Sequence, residues 1–209
     1  MILQRLTAVG NDESRVMLWF DDGTRMRVAT GVVTEYGLYA GKTLSDEDLA
    51  ALQDAARRAS AKNRAVRIVS TAAVSERELK RRLVQRGERA EDAAEAADWL
   101  REIGALDDKA MAHRIVRRCV DKGYGANRAR QALQQKGIPR EYWEEALEEI
   151  PDMSEAIERF LAQKLRDRNP DRKELGRVIA ALQRRGHSWE DIRSALNRFH
   201  DGEDPSFYE

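Results

Sequence analysis

Apolar and polar positions follow two different rhythms along this chain. Near the start, RVMLWF (15–20) and RMRVAT (25–30) are β-prone runs flanking the turn sequence DDGT, which predicts a small β-hairpin. From residue 45 the rhythm becomes helical. In TLSDEDLAALQDAARR, Ser45 followed three residues later by Asp48 has capping-box spacing, so a helix is expected to begin there.

Beyond that point the pattern repeats about every 50 residues. RRLVQRG, QALQQKG and ALQRRG each end in a glycine, Gly87, Gly137 and Gly186. When the three glycines are superposed, the positions four before are Leu83, Leu133 and Leu182, and those eight before are Leu79, Ala129 and Val178. Twenty-one before stand Val66, Val116 and Leu165. Six after come Ala93, Trp143 and Ile192, ten after Ala97, Leu147 and Leu196, and thirteen after Leu100, Ile150 and Phe199. Spacings of three and four mark one buried helix face. The pattern therefore predicts a three-helix unit used three times, the basic phrase closing its middle helix.

Glycine suits a helix stop because it takes the left-handed conformation without a Cβ clash. Arg86, Lys136 and Arg185 sit in the last turn, where cations oppose the negative end of the helix dipole. Ser75 with Glu78, and Ser188 with Asp191, mark helix starts, and Pro139 suits a first helical position. The connections GALDD (104–108) and PDMS (151–154) are too short to let the units tumble freely. The expected fold is mainly all-α: three tandem three-helix repeats in an elongated array, preceded by a small β-hairpin-containing N-terminal segment. The boundaries are an extension with hairpin and helix over 1–58, repeats over 59–104, 105–150 and 151–200, and a tail over 201–209.

Composition fits several small helical cores, with only 6% aromatic and 35% charged residues in 209. Net charge is zero, but it is unevenly spread. Residues 1–60 carry 7 Lys and Arg against 9 Asp and Glu, residues 61–140 carry 19 against 11, and residues 141–209 carry 11 against 17. The single cysteine, Cys119, makes no internal disulfide, the start MILQRLTAVGNDESR has no signal-like apolar core, and no apolar run approaches a membrane span. The expectation is a cytoplasmic protein with no membrane association.

A search for catalysis finds no glycine-rich phosphate loop ending in Lys-Ser/Thr, no paired cysteines for zinc and no spaced histidine pair on one helix face. GYG (123–125) reads as a turn. His113, His187 and His200 fall in three different elements, each reading as a surface or cap residue. Cys119 shares an apolar column with Val69 and reads as a buried structural thiol. In EYWEEALEEIPDMSE, Trp143, Leu147 and Ile150 define an inner face, leaving Glu141, Glu144, Glu145, Glu148 and Glu149 on a solvated one. No enzyme and no cofactor are expected.

The candidate binding residues are basic: Arg77, Lys80, Arg81, Arg82 and Arg86 on one helix; Arg114, Arg117 and Arg118 on the next unit's first helix; Arg128, Arg130 and Lys136 on its second. A local excess of cations of this size tracks phosphate or an acidic protein groove. With little aromatic interleaving, base stacking is not expected to contribute much among these helices.

The stretches SERELKRRLVQRG and EIGALDDKAMAHRIVRRCVDKGYGANRARQALQQKGI resemble the RecX family of regulators of the bacterial recombinase RecA. The residues that carry the likeness are Ser75, Glu78, Leu79, Arg86 and Gly87 in the first unit, Gly104, Leu106, Asp107 and Asp108 at the junction, and Leu133, Lys136, Gly137 and Ile138 closing the second unit. Ala105 and Met111 stand where the family usually has aromatic residues, and both read as packing changes. EYGLYAGKTLSDEDL is also similar to the N-terminal extension of longer members.

The resemblance implies a non-enzymatic regulator that binds RecA nucleoprotein filaments, and a monomer is expected because packing inside a unit or onto its neighbour accounts for every apolar column. It would inhibit recombinase and co-protease activity, in homologous recombination, DNA repair and the SOS response; the arginines and lysines themselves predict weak, non-specific and salt-dependent DNA binding. Two other readings stand beside it. A sequence-specific helix-turn-helix protein could use RARQALQQKG as a recognition helix, but no Asn/Gln/Arg cluster gathers at its N-terminus and no dimerisation segment is evident. A plain helical-repeat scaffold leaves the basic middle unexplained.

Overall fold

The computed structural model describes residues 1–10, 12–165 and 170–199. It divides into two compact units, one ending at Leu106 and one beginning at Asp107.

The first unit opens with β1 (Leu3–Val9), β2 (Asp12–Phe20) and β3 (Arg25–Ala29), antiparallel in the order β1-β2-β3. The hairpin read from RVMLWF and RMRVAT is β2–β3, with Val16 opposite Val28 and Leu18 opposite Met26. A third strand joins it that the alternation did not reveal. In β1 the register slips between Leu3 and Arg5, so the inward residues Leu3 and Leu6 stand three apart instead of two. An extra residue of this kind is a β-bulge, and it hides the period-two signal.

One face of the sheet is covered by α1 (Thr30–Glu35) and by the first half of α2 (Asp46–Thr71), with Leu3, Leu18, Phe20, Val28, Val32, Leu38, Leu44, Leu52 and Ala55 buried between them. The α2 capping box is complete: the Asp48 N–H donates to Ser45 Oγ at 3.0 Å and the Ser45 N–H donates to Asp48 Oδ2 at 3.0 Å. This helix has 26 residues and runs through position 58 without a break. Its second half packs on α3 (Glu76–Gln85) and α4 (Ala90–Glu102).

That second core is built largely of alanine. Ala61 and Ala65 of α2 face Ala93, Ala96 and Ala97 of α4, all inaccessible to solvent, and Ile68, Leu79, Leu83 and Leu100 complete it. Side chains this small let two helix backbones approach closely. They also displace the expected apolar column: Val66, read as buried, is 41% exposed, because Ala65 and Ile68 take the inner positions.

The second unit contains α5 (Asp108–Asp121), α6 (Ala126–Lys136) and, after a 3-10 turn at Arg140–Tyr142, the short α7 (Trp143–Leu147). It continues with α8 (Ser154–Lys164), α9 (Arg172–Arg184) and α10 (Trp189–Phe199). Met111, Ala112, Val116, Cys119, Ala129, Leu133, Ile138 and Ala146 form one core. Ile157, Leu161, Leu165, Leu175, Val178, Leu182, Ile192, Ala195 and Leu196 form the other. Pro139 lies before the 3-10 turn, with extended ψ, rather than inside a helix. Trp143, Leu147 and Ile150 pack half-buried against the Met111–Ala146 core, as expected of an inner face, and Ala146 beside them is fully buried. Of the two departures from the family pattern, Met111 is buried and Ala105 is exposed.

The recurring phrase has one structural meaning in all three places. Leu83, Leu133 and Leu182 are fully buried, and Gly87, Gly137 and Gly186 have φ of +89°, +71° and +90°. The N–H following each glycine donates back to the leucine carbonyl: Glu88 to Leu83 at 3.1 Å, Ile138 to Leu133 at 3.1 Å, and His187 to Leu182 at 3.3 Å. One leucine thus anchors the helix by its side chain and closes it by its carbonyl.

Candidate functional site

The side chains of α3 divide by helical geometry. Leu79 and Leu83 point into the core, so the charged residues between them are turned outward. Ser75 Oγ accepts from the Glu78 N–H at 3.2 Å and starts the helix as expected. The first-turn carboxylates then reach along the helix. Glu76 receives Lys80 at 2.6 Å and Arg101 of α4 at 3.0 Å, while Glu78 receives two N–H groups of Arg81 at 2.8 Å each and Arg82 at 2.6 Å. Burial pushes the Glu78 carboxyl up, but the hydrogen bonds and charges of Arg82 and Arg81 outweigh it and hold it below the usual range. Lys80, Arg81 and Arg82 are therefore neutralised within their own helix. Arg77 and Arg86 are exposed and have no ion pair among the described residues.

The same division holds on α5. Met111, Ala112, Val116 and Cys119 face inward, and burial pushes the Cys119 thiol up, as suits a structural cysteine. On the outer side, Lys109, His113 and Arg117 lie one turn apart and meet Glu145 and Glu149, which follow each other at the same spacing. Lys109 pairs with Glu145 at 2.9 Å, His113 Nδ1 with Glu149 at 2.8 Å, and Arg117 Nε with Glu149 at 3.1 Å. Glu149 is held below the usual carboxylate range first by the Arg117 hydrogen bond. Glu145 and Glu149 are exposed, as expected of a solvated face, and they also neutralise α5. Arg114 and Arg118 are exposed beside this ladder without a carboxylate partner among the described residues. Arg114 borders a shallow depression of about 370 Å³ lined also by Ala110, His113, Arg117 and Glu149.

On α6, Ala129 and Leu133 are buried, and the exposed Arg128 and Arg130 donate to neutral acceptors, Gln131 and Asn127, at 3.2 Å each. Lys136 is exposed in the last turn. Arg114, Arg117, Arg118, Arg128, Arg130 and Lys136 thus share one compact unit, and Arg77, Lys80, Arg81, Arg82 and Arg86 lie in the other.

Sequence reasoning missed a contact between the last two helical groups. The turn Arg185–Gly186–His187 docks on the turn Gly123–Tyr124–Gly125, with the Gly125 N–H donating to Arg185 O at 3.0 Å and the Asn127 N–H to Gly186 O at 3.1 Å. Arg185, expected only to oppose a helix dipole, lies over the rings of Phe160 at 4.7 Å and Tyr124 at 5.5 Å. His187, expected at the surface or in a cap, is 4% exposed and bonds the Gly123 carbonyl through Nε2 at 3.1 Å. His200 falls outside the described residues. Among the described residues no group of three or more His, Cys, Asp or Glu is placed to hold a metal ion, and no helix is long and apolar enough to cross a membrane.

Comparison with known proteins agrees with this arrangement. Residues 107–147 match the model of the RecX second three-helix domain, and residues 152–196 that of the third. The Regulatory protein RecX of Vibrio vulnificus (strain CMCP6) is 32% identical over 144 residues, 66% of this chain and 92% of the relative. That of Clostridioides difficile (strain 630) is 29% identical over 203 residues, 94% of this chain and 95% of the relative. A crystal structure of regulatory protein RecX shares the fold with a TM-score of 0.73 over 97% of this chain and 99% of that one, at 23% identity. With two of its three helical groups matched by the family's own domains and a relative above 30% identity matched over nearly its whole length, the chain belongs to the RecX family of regulatory proteins.

Proposed function

We propose that this protein is a cytoplasmic, monomeric, non-enzymatic regulator that binds RecA nucleoprotein filaments and inhibits recombinase and co-protease activity. Its working parts are three-helix units over 59–104, 105–150 and 151–200. The contact residues are the basic sets on α3 of one unit and on α5 and α6 of the other. The observation that carries the reading is the exposed arginines without carboxylate partners among the described residues, found in each unit taken by itself: Arg77 and Arg86 in one, Arg114, Arg118, Arg128 and Arg130 in the other. Such cations are solvated and ready to meet phosphate or an acidic groove. Lys80, Arg81, Arg82 and Arg117 are held by exposed or half-exposed ion pairs, each worth only about 0.2–1 kcal/mol, which a multivalent anionic surface can displace. DNA binding by these helices is weak and indifferent to sequence.

The helix-turn-helix reading places the N-terminal residues of α6 against base edges. The Gly186 carbonyl already accepts the Asn127 N–H there, and the α9–α10 turn covers that helix end, which speaks against major-groove insertion. A strand-exchange assay with preformed RecA filaments tests the proposal. Inhibition at sub-stoichiometric or stoichiometric protein is expected, and full strand exchange in excess protein rejects it.

A further inference from the structure

The helices cover one face of the N-terminal sheet, and the other face carries a separate arrangement. Two rows cross the three strands on that side. In the first, Trp19 of β2 lies between its cross-strand neighbours Arg5 of β1 and Arg25 of β3; in the second, Met17 lies between Thr7 and Arg27. The Arg5 guanidinium is 4.4 Å from the Trp19 ring centre and that of Arg25 is 5.1 Å away, while Trp19 Nε1 donates to Thr7 Oγ1 at 3.0 Å. The indole is thus fixed in the middle of the sheet with a cation on each side. Arg5, Arg25 and Arg27 are exposed and make no ion pair among the described residues. The acidic residues that follow β2, Asp21 and Asp22, are engaged elsewhere: Asp21 accepts the Ile2 N–H at 2.9 Å, and Asp22 accepts the Thr24 N–H at 2.9 Å and hydroxyl at 2.7 Å.

From this we infer that the open face of the N-terminal sheet binds single-stranded nucleic acid, with bases over Trp19 and Met17 and phosphates over Arg5, Arg25 and Arg27. The site is separate from the basic helices and does not depend on the RecA reading. Its chemistry selects the occupant. Neighbouring strands lie about 4.8 Å apart, so Arg5 and Arg25 flank the central strand with roughly 10 Å between their backbones, and Arg27 follows Arg25 by about 6.8 Å along β3. Cations therefore border a half-buried apolar centre. A single strand offers both complements, phosphates for the border and unstacked base faces for the centre, and bases stack on guanidinium planes as well as on aromatic rings. A duplex keeps its base faces covered and offers only phosphate. An acidic peptide satisfies the arginines but leaves Trp19 and Met17 without a partner.

The residues 1–60 have more acidic than basic side chains, so the surface is invisible in net charge. It is built by period two along the strands: Arg25 and Arg27 on one, Met17 and Trp19 on the next.

The test uses the full chain and a fluorescein-labelled 30-mer oligothymidylate, with anisotropy as readout and no RecA present. The wild type is expected to bind the 30-mer more tightly than a duplex or a polyglutamate peptide of equal length, and to show quenching of tryptophan emission that Trp19→Phe removes. The triple variant Arg5→Gln, Arg25→Gln, Arg27→Gln is expected to weaken binding by about tenfold or more, as loss of stacking and phosphate contacts requires. An Arg5→Lys, Arg25→Lys, Arg27→Lys variant keeps the charge but lacks the planar fork, and is expected to bind less tightly than wild type. It also serves if the glutamine variant loses its far-UV circular dichroism. Unchanged affinity in a folded triple variant, quenching that survives Trp19→Phe, or a preference for duplex or polyglutamate overturns the inference. Failure of strand-exchange inhibition leaves it standing, because that bears on the basic helices alone.

Discussion

Gly125 and Gly186 meet backbone to backbone, so that a Cβ on Gly125 would lie 2.3 Å from the Gly186 carbonyl oxygen and 2.7 Å from the His187 nitrogen. A Cβ on Gly186 would lie 2.2 Å from the Arg128 nitrogen, and its φ of +90° already suits only glycine. The atoms in the way are backbone atoms of a helix start and a helix stop, which do not yield as a flexible side chain does. Gly125→Ala and Gly186→Ala are each expected to cost about 1–3 kcal/mol or more in urea denaturation. Gly176 is the control: it lies within α9 with nothing within 4 Å of its missing Cβ, so Gly176→Ala is expected to stabilise by about 0.5–1 kcal/mol. Equal effects at all three positions would show that the close contact is not rigid.

The same junction makes stability depend on pH. Burial lowers the His187 pKa below 6.5; the Gly123 hydrogen bond and Asp191 oppose the shift, and Arg185 adds to it. Nε2 donates to the Gly123 carbonyl, and buried Nδ1 has no hydrogen-bond partner among the described residues, so the native ring is neutral and a proton on Nδ1 would find no acceptor. Between the depressed native pKa and 6.5 the unfolded chain binds more protons than the folded one, and unfolding free energy therefore rises with pH. The His187 contribution is fully present above about pH 6.5 and is lost as pH falls through the native pKa. Denaturation midpoints from pH 7.5 to 5 are expected to fall more steeply for wild type than for His187→Gln. Parallel curves rule out a neutral buried imidazole.

Leu133→Ala is expected to cost about 2–5 kcal/mol, because Leu133 is fully buried and its removal leaves a cavity at a helix end already closed by its carbonyl. Val66→Ala, at a position 41% exposed, is expected to stay within about 0.5 kcal/mol of wild type. Chemical denaturation of the two variants distinguishes the true core face from the one that the apolar columns suggest.

That contrast explains what the sequence could and could not reveal. The Leu-x-x-x-Gly phrase was legible because a buried leucine and a positive-φ glycine each demand one residue type, and three copies reinforced one another. The α2–α4 contact was not, since alanine is equally at home on a helix surface, and the exposed Val66 is the larger apolar residue beside the buried Ala65. The bulge at Leu3–Arg5 concealed β1 by breaking its alternation. The basic helices were legible as charge but not as available charge. Whether an arginine is free depends on which carboxylates reach it, and Glu149 reaches Arg117 from 32 residues away.

Availability of charge leads to the last prediction. Glu78 and Glu149 act as internal competitors for Arg81, Arg82 and Arg117, so replacing them should release cations rather than remove a binding group. Glu78→Gln and Glu149→Gln are each expected to strengthen inhibition of RecA strand exchange, with a stability loss of about 1 kcal/mol or less because the pairs are largely solvated. Reversing Arg77 and Arg86, or Arg114 and Arg118, to Glu is expected to abolish inhibition with little change in melting temperature, since these side chains have no ion pair to lose among the described residues. Arg185→Glu is expected to act oppositely, lowering the melting temperature through loss of its contacts with Phe160 and Tyr124 while affecting inhibition less. Inhibition that survives both pairs of reversals, or that weakens in Glu78→Gln and Glu149→Gln, would mean that the exposed arginines only solubilise the helices and that the regulatory contact lies on another surface.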